Sequence, residues 1–246
     1  GSCYSTAVLQ IWEDGVIDHG AGHAQFHTKG YWAQQETLLI ENTFQSDNKI
    51  EPSLKNDDRV EAYARRLKFE GVISAGSKSV FFFGRGVDPK VELKVAPDTF
   101  NPDADLGSFI SDDQKMGVVI GKGLAETLEI GLGDEASLMV NTLEGSINGV
   151  DVKVRGIMDN PIPALSKRLL YMHVASAQKS IWVKDSYTEI AVRLKSNVNA
   201  EDWVSANESL AKNGSMDLRG WWKIDPYVRK VQKIWDSVIG VISFLL

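Results

Sequence analysis

The chain has 246 residues, 43% of them hydrophobic and 24% charged. This is ordinary globular composition, which excludes disordered and fibrous classes and leaves room for one large domain or two modest ones. Lys+Arg 27 against Asp+Glu 33 gives a net charge of −6, so the balance provides no basic face for binding nucleic acid by counterion release. The single cysteine, Cys3, excludes an internal disulfide framework and a thiolate metal cluster.

Tyr4, Val8, Ile11 and Trp12 fall at three- and four-residue spacing, which predicts an amphipathic helix over 4–17, frayed or stopped by Gly15 and Gly20. In Gly22–His27, Ala24 and Phe26 alternate with His23, Gln25 and His27, the pattern of a half-buried strand with the histidines on its exposed face. Residues 43–59 are polar and read as a loop with room for a short helix. Two strands follow, over 60–68 and 72–87, joined around Gly71, and Phe81-Phe82-Phe83 suggests burial on both faces. Asp88-Pro89 and Pro97–Asp105 are turn material.

From Gly117 the rhythm is clearest. A strand over 117–120 precedes a helix over 121–128, a Gly131–Asp134 turn and a strand over 136–140. A hairpin loop at 145–149 leads into the alternating return strand 150–157. Pro161 and Pro163 mark a loop, 174–182 a short helix, and 188–195 another alternating strand. Asn199 caps a helix over 200–213 that Gly214 stops. Residues 226–246 contain no internal proline and would form a helix about 30 Å long. Strands and helices mix without a regular βαβ rhythm, so the fold class is α+β with two subdomains.

The ends raise a membrane question. The longest apolar run, Val238–Leu246, is shorter than the roughly 20 residues a spanning helix needs. No signal peptide is evident at the start, and the two ends together suggest a fragment taken from between two membrane spans. Trp12, Trp221, Trp222 and Trp235 lie towards those ends, where aromatic rings favour a bilayer interface.

The search for catalytic or ligand chemistry names no catalytic, cofactor-binding or metal-binding residue. His23 and His27 have the spacing of a zinc helix, but Ala24 replaces the required Glu and the segment reads as a strand, where four residues span about 13 Å. Gly121-Lys122-Gly123 and Gly84-Arg85-Gly86 fit neither phosphate-loop fingerprint. Asp103-Ala104-Asp105-Leu106-Gly107 is out of register for a calcium loop, and no serine sits in a Gly-x-Ser-x-Gly elbow. His23, His27 and His173 are the residues a hydrolase reading would need.

Several stretches, in order, resemble one family: Gly22–Tyr31, Ala64–Leu67, Gly84–Pro89, Gly117–Ala125 followed by Gly133-Asp134, Val152–Ile157, Leu170–Met172 and Ala177-Gln178. Together they resemble the periplasmic domain of the ABC-transporter permeases that include the lipoprotein-releasing LolC/LolE and macrolide-export MacB proteins. The resemblance implies a porter-like α/β sandwich formed by residues 22–87 and 188–224, and a sabre-like, mostly β part over 88–187. Residues 1–21 would be a stalk helix following a first transmembrane span, and 225–246 a stalk helix leading into a second. It further implies a periplasmic location at the bacterial inner membrane and a cytoplasmic ATPase partner. The permease would pair with itself or a sister chain, and would release lipoproteins or export another envelope cargo by passing ATP-driven motion through the stalks. The loop 141–149 is short and lacks the Pro and Arg with which a lipoprotein-releasing permease recruits its chaperone. A membrane-flanked ligand-binding or sensor module is the alternative.

Overall fold

A computed structural model describes residues 13–33, 42–46, 48–113, 116–160 and 162–224. The proposed stalk segment 225–246 and most of the first predicted helix, with Trp12 and Trp235, lie outside them. Twelve strands are described: β1 Ala24–Thr28, β2 Phe44–Gln45, β3 Val60–Ala75, β4 Lys78–Val87, β5 Leu106–Gly107, β6 Gly117–Gly121, β7 Glu135–Asn141, β8 Ile147–Met158, β9 Leu169–His173, β10 Ser186–Tyr187, β11 Glu189–Leu194 and β12 Met216–Gly220. The helices among the described residues include α1 Ile50–Lys55, α2 Pro89–Val95, α3 Lys122–Leu128, α4 Pro163–Ser166, α5 Val174–Ser180, α6 Ala200–Asn213 and α7 Trp221–Ile224. The chain is thus α+β, as expected.

One sheet runs in the order β12-β1-β11-β3-β4-β9-β6-β8-β5, and β7 pairs with both β8 and β3. That second pairing closes β3-β4-β9-β6-β8-β7 into a ring, which leaves its members no free edge. The pairs β4–β9 and β6–β8 are parallel and the rest of the ring is antiparallel. β3 is long because it serves both parts. Its first half, to Arg66, pairs with β11, and Gly71–Ser74 pairs with β7.

The predicted break at Gly71 is therefore replaced by one continuous strand. A Cβ on Gly71 would lie 2.3 Å from the Met139 carbonyl oxygen, so the glycine admits β7 rather than ending β3. The actual turn is Gly76-Ser77, with Gly76 at φ +56, the left-handed geometry of a two-residue hairpin. Phe81-Phe82-Phe83 also departs from expectation: Phe82 is fully buried, whereas Phe81 and Phe83 are each 39% exposed. The run alternates after all.

Two main cores result. The ring encloses Phe69, Ile73, Phe82, Val118, Leu138, Val154 and Leu170, closed by Leu124 of α3 and Ala177 of α5. On the open part of the sheet, Phe26, Ile190 and Val192 pack with Ile50 and Leu54 of α1 and with Trp203 of α6. α6 begins and ends as the sequence predicts: the Asn199 side chain accepts from the amides of Glu201 and Asp202, and the amide of Gly214 donates to the carbonyls of Leu210 and Ala211.

Other elements shift more. Asp88 is not in a simple turn; it caps α2 by accepting from Lys90 N. Pro163 opens the short helix α4. The 145–149 loop contracts to a turn within 142–146, tied by Thr142 N donating to Ser146 O at 2.8 Å. The helix predicted over 174–182 ends at Ser180.

Candidate functional site

The described residues place their charged groups in the interior at one point, where both helix ends meet the sheet. Residues 13–16 are helical through Gly15, and the helix widens over Ile17–Ala21 before ending. There the Gly22 amide donates to the Ile17 carbonyl five residues back, and Gly20 sits at φ +138. Gly15 does not stop it, but the backbone leaves helical geometry at Gly20 and the helix ends one residue later, as the sequence predicts for Gly20. At the other end, the amide of Trp221, the first residue of α7, donates to the His23 carbonyl at 3.0 Å. Ile17 and Trp221 form a small cluster with Val16, Ala21 and Trp222. Trp221 is thus a buried packing ring, not an interfacial one.

Beneath this cluster lies Arg66, fully buried on β3. Its Nε donates to Glu92 Oε2 of α2 at 2.8 Å, and its Nη1 to Glu189 Oε1 of β11 at 2.7 Å and to the Gly20 carbonyl. Glu189 also pairs with Lys68 Nζ at 2.5 Å. A guanidinium suits this position because its planar fork can address several acceptors at once. Each of the two carboxylates and two cations is paired, the usual condition for burying charge. Arg66 Nη2, Glu92 Oε1 and Glu189 Oε2 are nevertheless buried without a hydrogen-bond partner among the described residues. Although burial raises its pKa, the Glu189 carboxyl is held well below the ordinary range by Lys68 and Arg66.

A second tie lies alongside. Arg193 Nη1 donates to Asp18 Oδ1 at 2.5 Å and to the Val95 carbonyl at the end of α2. The widened turn Ile17–Ala21 is thus held by two arginines from adjacent strands.

The structure corrects the reading of the histidines. β1 is buried on both faces, because it lies between β11 and β12 and its sides are covered. His27 is fully buried, its ring stacked 3.9 Å from Tyr31 and edge-on to Trp32. Its Nε2 lies 3.0 Å from Gln25 Oε1, and Gln25 Nε2 donates in turn to the Ala21 carbonyl. Burial, with Lys68 nearby, lowers its pKa to about 3. His23 Nδ1 accepts from Leu194 N, and burial with Arg193 lowers its pKa to about 4. Both rings are neutral at pH 7 and serve packing and hydrogen bonding. His173 Nδ1 accepts from Ala175 N and caps α5; the three histidines are not brought together. Among the described residues no group of three His, Cys, Asp or Glu side chains could hold a metal ion.

In the sequence Arg66 has no role beyond its place in the resembling stretch Ala64–Leu67, and neither Glu92 nor Glu189 is singled out. An arginine next to the buried Leu67 on an otherwise alternating strand was the available signal, since two successive buried positions mean both faces are covered.

Comparison with known proteins agrees with this architecture. Residues 8–209 match the MacB-like periplasmic core domain. The periplasmic region of MacB from Actinobacillus actinomycetemcomitans superposes with a TM-score of 0.55 at 13% identity, covering 87% of this chain and 94% of that one. The extracellular domain of the noncanonical ABC-type transporter YknZ from Gram-positive bacteria gives 0.53 at 16% identity, covering 80% and 98%. No curated protein matches the chain. With a family match over most of its length and the same fold in both structures, the chain belongs to the MacB-like periplasmic core domain family and is the periplasmic domain of an ABC-type transporter permease.

Proposed function

We propose that this domain does no chemistry of its own and instead transmits ATP-driven motion from the membrane into the periplasm, for lipoprotein release or export of another envelope cargo. The ATPase partner acts in the cytoplasm, and a second permease, identical or a sister chain, would supply the other half of the assembly. The observation that carries this reading is the joint. The widened turn Ile17–Ala21 and α7 pack on each other, and Arg66 and Arg193 fasten the first of them to the sheet. A displacement of either helix end would pass into β1, β3 and β11 together, because packed interiors have low compressibility and carry strain.

The test is hydrogen exchange on the full-length transporter, with and without ATP. The amides of Gly22, His23 and Trp221, which donate to Ile17, Val192 and His23 carbonyls, should change protection between the two nucleotide states. Unchanged protection at all three, with the ATPase demonstrably turning over, would overturn the proposal.

A further inference from the structure

The charge arrangement beside this joint points to a ligand that the mechanical reading does not require. β3 and β4 place Lys68 directly opposite Arg85, and like charges so placed weaken a strand pair. The described cations here are Arg66, Lys68 and Arg85, and the described carboxylates meeting them are Glu92 and Glu189, taken by Arg66 and Lys68. His27 is neutral. Among the described residues Arg85 is paired with no carboxylate; its Nη1 donates to the Tyr171 hydroxyl at 3.0 Å.

Lys68 and Arg85 line a cavity of about 240 Å³ with the Tyr31 side chain, and Phe83 and Leu165 form part of its apolar wall. Those two residues also line an adjoining open groove of about 830 Å³ that continues past Ile162, where Lys167 and Arg168 add two more cations along its mostly apolar lining. Among the described residues no carboxylate lines either space. Glu70, the next acidic residue on this face, lies opposite Phe83 and outside the cavity lining. The combined shape is a cationic end with a hydrogen-bonding phenol, opening onto an apolar track whose Phe83 and Ile162 are exposed.

We propose that this pocket binds an anionic amphiphile, a carboxylate on an alkyl chain. The carboxylate would sit between the Arg85 fork and the Lys68 ammonium, a planar acceptor matched to a planar donor. The chain would lie along Phe83, Leu165 and Ile162, where each methylene removed from water strengthens binding by about fourfold. The Arg85 guanidinium would then gain a direct carboxylate partner on binding. This inference rests on the pocket alone and does not depend on motion being transmitted.

The test is isothermal titration of this chain with decanoate below its micelle concentration, beside hexanoate and decyltrimethylammonium. Saturable one-to-one binding of decanoate is expected, at least tenfold weaker for hexanoate and absent for the cationic analogue. Arg85→Met should weaken decanoate at least tenfold while the empty protein still unfolds in one cooperative thermal transition, with its loss of stability limited to the Tyr171 hydrogen bond. Ile162→Asp, at an exposed rim that cannot disturb folding, should weaken decanoate by a similar factor. Equal uptake of the anionic and cationic amphiphiles, no saturable binding, or undiminished affinity in both variants would overturn the proposal.

Discussion

At the scale of single residues, the interior depends on Arg66 being charged and shared. Its removal leaves Glu92 and Glu189 facing each other's territory without their common cation, and breaking a buried pair from one side costs about 3–5 kcal/mol. Arg66→Met is therefore expected to lose that much stability in urea titrations at pH 7, whereas Arg65→Met, which removes a partly exposed cation stacked over Tyr187, should lose far less. The histidines make a separate prediction. In the unfolded chain an imidazole takes up its proton near pH 6.5, but in the fold His23 does so near 4 and His27 near 3. Between those values the unfolded state binds more protons, so each ring contributes stability that is complete above pH 6.5 and declines by about 1.4 kcal/mol per pH unit until its folded pKa is reached. His23→Asn keeps an acceptor for the Leu194 amide and should flatten the decline between pH 6 and 4.5 by that slope. Urea titrations across this range measure it; an unchanged slope would mean that His23 is already charged. None of these partners was legible in the sequence, because Arg66, Glu92 and Glu189 converge from positions up to 123 residues apart and no local spacing encodes that meeting.

At the scale of elements, local signals worked where structure is local. The helix at 200–213 was readable with both of its ends, since Asn199 and Gly214 act on neighbouring amides and carbonyls. The 117–157 unit was readable because alternation and turn glycines coincide there. Besides the two-residue β2, β5 and β10, two strands were not. β9 is buried along most of its length, so Leu169–His173 shows no alternation. β12 is a short edge strand containing Asp217 and Arg219, held by its ladder to β1. Gly71 shows how a glycine can be misread: local rules make it a break, but the neighbouring strand makes it a clearance. Gly71→Ala should push β7 away from β3 and cost about 1–3 kcal/mol, the usual range for overpacking. Gly149→Ala, opposite Met139 in the same hairpin but with open space where the Cβ would go, should change stability by less than about 0.5 kcal/mol. Equal effects in denaturant titrations would contradict the assigned β3–β7 contact.

At the scale of the whole molecule, one strand carries both cores. The open sheet with α1 and α6, and the ring with α3 and α5, share β3, so under the proposed function a force reaching Arg66 near its middle would pass to both. The ordered stretches that carry the family resemblance are distributed around this frame: Gly117–Ala125 and Val152–Ile157 within the ring, Gly22–Tyr31 in and beside the joint. That distribution explains why the fold was legible from scattered residues although identity to the matching structures is only 13–16%. The proposed mechanical role was not legible from local pattern, because it depends on two segments about 200 residues apart packing together. The most direct test places a spin label at Ile147, an exposed position at the hairpin tip, on both permease subunits of the assembled transporter. The distance between them is then read in the nucleotide-free and ATP-bound states. The account predicts a shift of several ångströms between the two states, with the distance from Asp14 to Ile147 within one domain unchanged. Identical inter-subunit distances in both states would contradict it.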